Sequence, residues 1–216
     1  MEEITASKVE KFFDGYKLRR YAKGQILLFA GDKPQDIFYL TSGKVKEYDV
    51  TYRGDEIILN VFKPHAFFPM SRAFSSAPVN YVFEAETDVE IRQAPIDETL
   101  AFFRASPDVV LDLLMRLYSG IEGLLGRMSY LMAGSAKGRL LYELVIEARR
   151  FGTLLEDGSC VLTISEKDMG ARAGLSRETV SRTIHTLKAS GLVKIRSKDI
   201  LITSLRELEQ SLGQEI

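Results

Sequence analysis

Residues 165–182, SEKDMGARAGLSRETVSR, constrain the fold of this chain more than any other segment. They predict a short helix, a tight turn at Gly174, and a second helix that is capped by Ser176. Two helices that cross closely need a small residue where their backbones approach, which Gly170 provides, and an apolar side chain between them, which Val180 provides. The segment therefore predicts a helix-turn-helix.

The second predicted helix has one polar and one apolar side. Val180, Ile184 and Leu187 follow the helical period and can pack into a core. On the polar side, Arg can bond O6 and N7 of guanine, and Glu can accept a hydrogen bond from the cytosine amino group. The alternative is that Arg177 and Glu178 form an ordinary solvated charge pair, but this does not account for the spacing of the apolar residues on the two helices. We predict that this helix reads DNA bases through Arg177, Glu178, Ser181 and Arg182.

The charge distribution agrees with a DNA-binding segment near the C-terminus. The chain has a formal net charge of −1. Residues 165–198 contain eight Lys and Arg against three acids, a local net charge of +5, which leaves −6 for the rest. Positive charge is thus concentrated where DNA phosphates would lie.

The first hundred residues predict a small all-β unit. Between about residues 21 and 92, short runs rich in β-branched and aromatic residues alternate with turn signals such as Gly31-Asp32 and Ser42-Gly43. Strands at this spacing are typical of an antiparallel barrel or sandwich.

A long amphipathic helix is predicted next, beginning at Ser106-Pro107 and ending before a hinge at residues 133–135. Its apolar residues recur at intervals of four and three, which is typical of a two-stranded coiled coil. A helix packed on its own barrel is the alternative, and the wider apolar stripe would allow both. We predict a homodimer whose seam consists of Val110, Leu114, Leu117, Ile121, Leu124, Met128 and Leu131.

The remaining C-terminal segments complete a winged helix-turn-helix. Residues 137–150 predict an amphipathic helix and residues 160–164 a strand, while residues 192–203 predict a hairpin that turns at residues 197–199. The hairpin carries Arg196 and Lys198, which can reach phosphates.

A barrel, a long helix and a winged helix in this order resemble the Crp/Fnr family of bacterial transcription regulators. The resemblance is carried by GLSRETVSRTIHTLKASGLV and GDKPQDIFYLTSGKVK. It implies an α+β chain with a cupin-like antiparallel β-barrel, similar to a cyclic-nucleotide-binding domain, over residues 1–104. A dimerisation helix and hinge over residues 105–134 and a winged helix-turn-helix over residues 135–216 would follow.

The resemblance also implies how DNA is bound. Base-reading positions fall on Arg177, Glu178 and Arg182, and the mixture of Arg177 with Ser181 implies a half-site that contains TGA. Ser165, Ser176 and Thr179 correspond to phosphate contacts at helix starts, which offer N–H groups to anions. With the basic residues of the segment, the predicted phosphate contacts are Ser165, Lys167, Ser176, Thr179, Lys188, Arg196 and Lys198.

Two effectors known in the family do not fit this sequence. Members that bind cyclic AMP carry a Gly-Glu-Leu run followed by Arg-Ser, whereas residues 65–78 here lack Gly-Glu. A buried cyclic phosphate would be left without partners. An iron–sulfur cluster needs about four cysteines, and the chain has only Cys160. We therefore expect no cofactor and no control by cyclic AMP.

Residues 65–78 leave open whether another effector binds to the barrel. Phe67, Phe68, Met70 and Arg72 could line an apolar effector pocket, or the aromatic residues could fill the barrel permanently. His65 and Met70 are conceivable haem ligands, although a lone His in a loop is usually not a ligand.

Together these features predict a homodimeric, sequence-specific transcription regulator. Its expected partners are double-stranded DNA, a second copy of the chain, RNA polymerase and an unidentified small-molecule effector. The alternative is a module that binds a cyclic nucleotide or another small molecule and signals through protein contacts. An enzyme is not expected, because the sequence shows no nucleophile–base pair, metal cluster or phosphate-binding glycine loop.

Cellular location follows from what the sequence lacks. Its N-terminus, MEEITASKVEKFF, has no apolar signal core, and no apolar run approaches the length of a membrane span. We expect a cytoplasmic protein without membrane contact.

Overall fold

The computed structural model describes residues 3–75, 77–196 and 199–215. The chain forms two compact units, Met1–Tyr118 and Ser119–Ile216, and the boundary between them falls within one long helix. The expected classes of element are confirmed: a β-sheet unit, a long helix and a C-terminal helix-turn-helix with a hairpin.

Among its described residues, the first unit contains two four-stranded antiparallel sheets and three shorter helices. Its sheets have the strand orders β1-β8-β3-β6 and β2-β7-β4-β5. The elements are α1 (Glu3–Asp14), β1 (Leu18–Tyr21), β2 (Ile26–Leu28), β3 (Asp36–Ser42), β4 (Val45–Val50), β5 (Glu56–Phe62), β6 (Phe67–Phe68), α2 (Met70–Ser75), β7 (Val82–Ala85), β8 (Val89–Pro95) and α3 (Ile96–Ala105).

Alternation along the strands divides the apolar residues of this unit into two cores. Side chains that face inward from both sheets fill the barrel, whereas α1, α3 and the start of the long helix cover the outer face of the first sheet. On β3, Phe38 belongs to the inner core and Tyr39 to the outer one, as the two-residue period of a strand requires. The predicted turn after β3 is present, and Gly43 adopts a φ of 82° there.

The second unit packs helices against a four-stranded antiparallel sheet of order β11-β12-β10-β9. Its core contains buried residues from three helices and the sheet, among them Leu144, Met169, Leu187 and Ile202. The elements are α4 (Pro107–Ala133, shared by both units), α5 (Ala136–Phe151), β9 (Thr153–Leu154), β10 (Cys160–Thr163), α6 (Glu166–Ala173), α7 (Arg177–Ala189), β11 (Val193–Arg196), β12 (Asp199–Ile202) and α8 (Leu205–Leu212).

Helix α4 leaves an apolar face open along its length. All seven residues of the predicted seam are between 39% and 59% exposed in the single chain. A face of this kind is unusual on a monomer in water. Among the described helices, none is long and apolar enough to cross a membrane.

Candidate nucleic-acid interface

Serine caps fix the starts of the two helices of the helix-turn-helix. The Ser165 hydroxyl accepts a hydrogen bond from the Asp168 backbone N–H at 3.0 Å at the start of α6. Ser176 does the same for Thr179 at 3.2 Å at the start of α7. Between them Gly174 is left-handed, with φ 62° and ψ 40°, and ends α6. The sequence signals for both caps and the turn are confirmed.

The crossing of α6 and α7 depends on a small residue. A Cβ placed on Gly170 would lie 2.6 Å from the Leu175 carbonyl oxygen, closer than side-chain carbons approach backbone. Val180, Ile184 and Leu187 are all buried in the core of this unit. The apolar side of α7 therefore holds the helix in place, and its other side is available to a ligand.

The predicted base-reading residues lie together on the outer side of α7. Arg177, Glu178 and Arg182 are exposed, and Ser181 between them is half-buried. The Arg177 side chain is 79% exposed, and its Nε lies 3.6 Å from the Glu166 carboxylate, a long distance for an ion pair. Two guanidinium groups and a carboxylate thus project from one helical face without being enclosed by the rest of the unit.

Most of the predicted phosphate contacts also lie at the surface. Ser165, Lys167, Ser176, Lys188 and Arg196 are exposed, and Thr179 is half-buried at the first turn of α7. Arg196 ends β11, opposite Asp199 of β12. The predicted contact Lys198 lies outside the described residues.

One basic residue of the segment does not contribute to the surface charge. Arg172 on α6 is buried and donates a hydrogen bond to Glu147 of α5. Its charge, counted in the local +5, is compensated inside the unit by the Glu147 carboxylate, so the basic surface consists of the other Lys and Arg residues of the segment. The sequence signal that could have revealed this buried ion pair is a glutamate, Glu147, on the inner face of the amphipathic helix α5.

A second buried carboxylate lies one helical turn earlier on α5. Glu143 accepts two hydrogen bonds from Arg127 of α4. Burial raises the pKa of the Glu143 carboxyl, and the Arg127 guanidinium opposes that rise. Burial also lowers the pKa of Arg150 nearby. Sequence reasoning did not identify this buried charged layer behind the helix-turn-helix.

The candidate effector residues of the first unit are placed in different surroundings. Phe68 lies inside the barrel, where its ring stacks on Phe83 with centroids 5.4 Å apart. Phe67 faces the outer core, and Met70 packs against that same core. Arg72 on α2 is half-buried. Its Nε has no hydrogen-bond partner in the part of the chain that the structure describes.

His65 is held on the outer side of the barrel. Its backbone is left-handed, with φ 70°, and its Nδ1 lies 2.8 Å from the Tyr39 hydroxyl. Arg116 of α4 donates to the His65 carbonyl oxygen at 2.9 Å. Neither the Tyr39 nor the Arg116 contact was predicted from the sequence, since both depend on tertiary packing.

Comparisons with known proteins assign both units. Residues 18–106 match the cyclic nucleotide-binding domain, and residues 138–211 match the Crp-like helix-turn-helix domain. The cAMP-activated global transcriptional regulator CRP of Pasteurella multocida is 23% identical over 199 residues, covering 92% of this chain and 95% of the relative. The fumarate and nitrate reduction regulatory protein of Escherichia coli is 28% identical over 193 residues, covering 88% and 76%.

Solved structures share the fold. A CooA mutant from Carboxydothermus hydrogenoformans superposes with a TM-score of 0.79 at 21% identity, covering 94% of this chain and 90% of that one. The c-di-GMP responsive regulator CLP of Xanthomonas campestris gives 0.77 at 20% identity, covering 91% and 98%. With both domain matches in this order and regulators as its relatives, the chain belongs to the Crp/Fnr family of transcription regulators, which are not enzymes.

Proposed function

We propose that this protein is a homodimer that binds an inverted DNA repeat, with one α7 helix in the major groove of each half-site. The observation that carries the proposal is the exposed set Arg177, Glu178 and Arg182 on a helix whose opposite side is buried. An α-helix fits the major groove, where these side chains have distinct partners on guanine and cytosine.

The surface of the second unit favours DNA over the alternative of a protein-contact module. An occluded or acidic surface at Arg177 and Arg182 would have supported the alternative, but both side chains are exposed. Exposed Lys167, Lys188 and Arg196 add positive charge on the same unit. We propose a half-site containing TGA, in keeping with the family resemblance of the α7 sequence.

The open face of α4 supports a dimer. Its seam residues repeat at coiled-coil spacing and are exposed in the single chain. In a two-fold dimer the half-sites would be about one helical turn apart, roughly 10 bp between centres.

The interior of the barrel supports control by something other than cyclic AMP. Phe62, Phe68 and Phe83 stack on one another inside it, with centroid distances of 5.1 to 5.9 Å. An apolar interior of this kind offers a cyclic phosphate few hydrogen-bond donors. RNA polymerase and a small-molecule effector remain proposed partners.

The proposal is tested by changing one base-reading residue. We expect Arg182→Ala to reduce discrimination at one G·C pair of the half-site by about 1–3 kcal/mol, since a bidentate contact to guanine is lost. The measurement is selection of bound duplexes from a random pool by wild type and variant at one fixed salt concentration.

Arg196→Ala is the matched control, because Arg196 is an exposed arginine of the same unit on the wing rather than on α7. It should weaken binding to all sequences alike and reduce the salt slope by about one unit. If Arg182→Ala kept both the affinity and the sequence preference of the wild type, α7 would not be the reading helix.

A further inference from the structure

Two buried ion pairs connect α4, α5 and α6 within the second unit. Arg127 of α4 donates to both carboxylate oxygens of Glu143 on α5, from Nε at 2.5 Å and from Nη2 at 2.9 Å. One turn further along α5, Glu147 accepts from Arg172 of α6. Glu143 is 1% exposed and Glu147 5%. The seam helix is thus joined to the first helix of the helix-turn-helix through charged groups shielded from water.

A buried ion pair of this kind directs geometry more than it adds stability. Replacing both partners by apolar residues is often neutral, because desolvation offsets the attraction between the charges. A planar guanidinium that bonds both oxygens of a carboxylate accepts only a narrow range of orientations. The Arg127–Glu143 pair therefore restricts the angle between α4 and α5.

Further contacts pack the C-terminal part of α4 against α5 and against the turn of the helix-turn-helix. The Tyr142 hydroxyl of α5 donates to the Gly123 carbonyl oxygen of α4 at 2.8 Å. The Tyr130 and Tyr142 rings pack with centroids 5.0 Å apart. Leu131 of the seam also lies close to Gly174, the turn residue of the helix-turn-helix. A Cβ built on Gly174 would be 3.5 Å from the Leu131 Cδ2. Seam and turn thus lie in direct proximity.

We propose that Arg127 and Glu143 determine which half-site spacing the dimer accepts, because their ion pair sets the angle between the seam and α7. This inference rests on the proposed function. In a two-fold dimer the angle fixes the separation of the two α7 helices. Neighbouring spacings differ by only about 3.4 Å along the DNA axis, so a modest change of angle would alter the preferred spacing.

The test uses the full-length double variant Arg127→Met/Glu143→Met. Both charges are removed together, so neither is left buried alone and folding should be preserved. Wild type and variant are titrated with duplexes that carry two copies of the half-site selected by the wild type, with the spacing varied one base pair at a time. Thermal unfolding of both proteins is recorded alongside.

We expect the wild type to favour one spacing over its neighbours by about tenfold, equivalent to ~1.4 kcal/mol. In the double variant this preference should fall to about twofold, while the base preference within each half-site stays unchanged. Arg127→Lys provides a second, milder variant: it keeps the charge and loses the bidentate geometry. It should also broaden the spacing profile.

The matched control is Arg149→Met/Glu209→Met, which removes an ion pair between the same helix α5 and α8. That pair is exposed, with side chains 59% and 35% accessible, and lies outside the connection between α4 and α6. Its spacing profile should equal that of the wild type.

The possible failures are distinguishable. A folded double variant with the spacing profile of the wild type would overturn the inference, and so would a wild type that binds inverted repeats at all spacings alike. A wild type that selects no inverted repeat would overturn the proposed function and this inference with it.

Discussion

Glu47 of the barrel is a carboxylate whose surroundings differ from those of an exposed glutamate. It follows the inward-facing Val45 by two positions on β4, and its cross-strand neighbours are Phe83 on β7 and Asn60 on β5. Burial raises the pKa of the Glu47 carboxyl to about 7. The folded barrel therefore holds a proton at this position at pH values where an exposed glutamate is ionised.

This shift predicts a pH-dependent stability of the barrel. The folded-state pKa is above the ordinary value of 4.5, so the stabilisation is complete below pH 4.5 and is lost as the pH rises through 7. Between pH 5 and pH 8 we expect the wild type to lose about 2.5 kcal/mol more unfolding free energy than Glu47→Gln. Hydrogen exchange of the barrel strands at both pH values measures this loss.

Asp49→Asn, at an exposed position on the same strand, is the control for the Glu47 substitution. It should reproduce the pH profile of the wild type. Parallel profiles for the wild type and Glu47→Gln would show that burial of this carboxyl does not perturb its titration.

At the scale of residues, the sequence identified exposed and capping positions better than buried charges. Ser165, Gly174 and Ser176 act through their own backbone neighbours, so local sequence is enough to predict them. Arg172 and Arg177 look alike in the sequence, yet one is buried on Glu147 and the other is exposed. The difference depends on α5, which is distant in the chain, and no local pattern contains it.

At the scale of elements, α4 shows which properties of a helix the sequence determines. Its start at Pro107 and end at Ala133 follow from the predicted Ser-Pro start and the glycine beyond it. The different surroundings of the glycines within α4, by contrast, cannot be predicted from the sequence. A Cβ on Gly123 would meet open space, whereas one on Gly126 would overlap the Tyr142 hydroxyl.

The segment after α4, predicted as a hinge, is held by side chains of the C-terminus. The Ser135 hydroxyl caps α5 and bonds the Glu215 carboxylate at 2.6 Å. Lys137 bonds the same carboxylate at 2.9 Å. Hydrogen bonds to Ser135 and Lys137 hold the pKa of Glu215 below its usual value. A contact between residues eighty positions apart could not be anticipated from the turn signal alone.

The glycines of α4 give opposite expectations for substitution by alanine. Gly126→Ala should destabilise the second unit by about 1–3 kcal/mol, because the new methyl group displaces Tyr142 and breaks its bond to Gly123. Gly123→Ala, its matched control, should stabilise the helix by up to about 1 kcal/mol, since alanine favours helix and the space is open. Thermal unfolding followed by circular dichroism compares them. Equal effects of the two substitutions would contradict the assigned packing of Tyr142.

At the scale of the whole molecule, the seam on α4 is an extended apolar surface that is exposed among the described residues of the single chain. Its seven residues are apolar and exposed from Val110 to Leu131. Gly126, which faces α5, lies away from this seam on the helix, so packing on α5 and the proposed dimer contact use different faces. The coiled-coil period in the sequence predicts the seam, and the exposure in the folded chain supports it.

Leu124→Glu tests whether this seam forms the dimer. In a two-fold pair the new carboxylates would face each other, and two leucines that each contribute about 1.5–3 kcal/mol when buried would be lost. We expect the dimer to be weakened at least about 100-fold, with a parallel loss of affinity for the inverted repeat. Ser129→Glu adds the same charge at an exposed position off the seam and should leave the dimer intact. Sedimentation equilibrium measures both, and a stable Leu124→Glu dimer would place the dimer contact elsewhere.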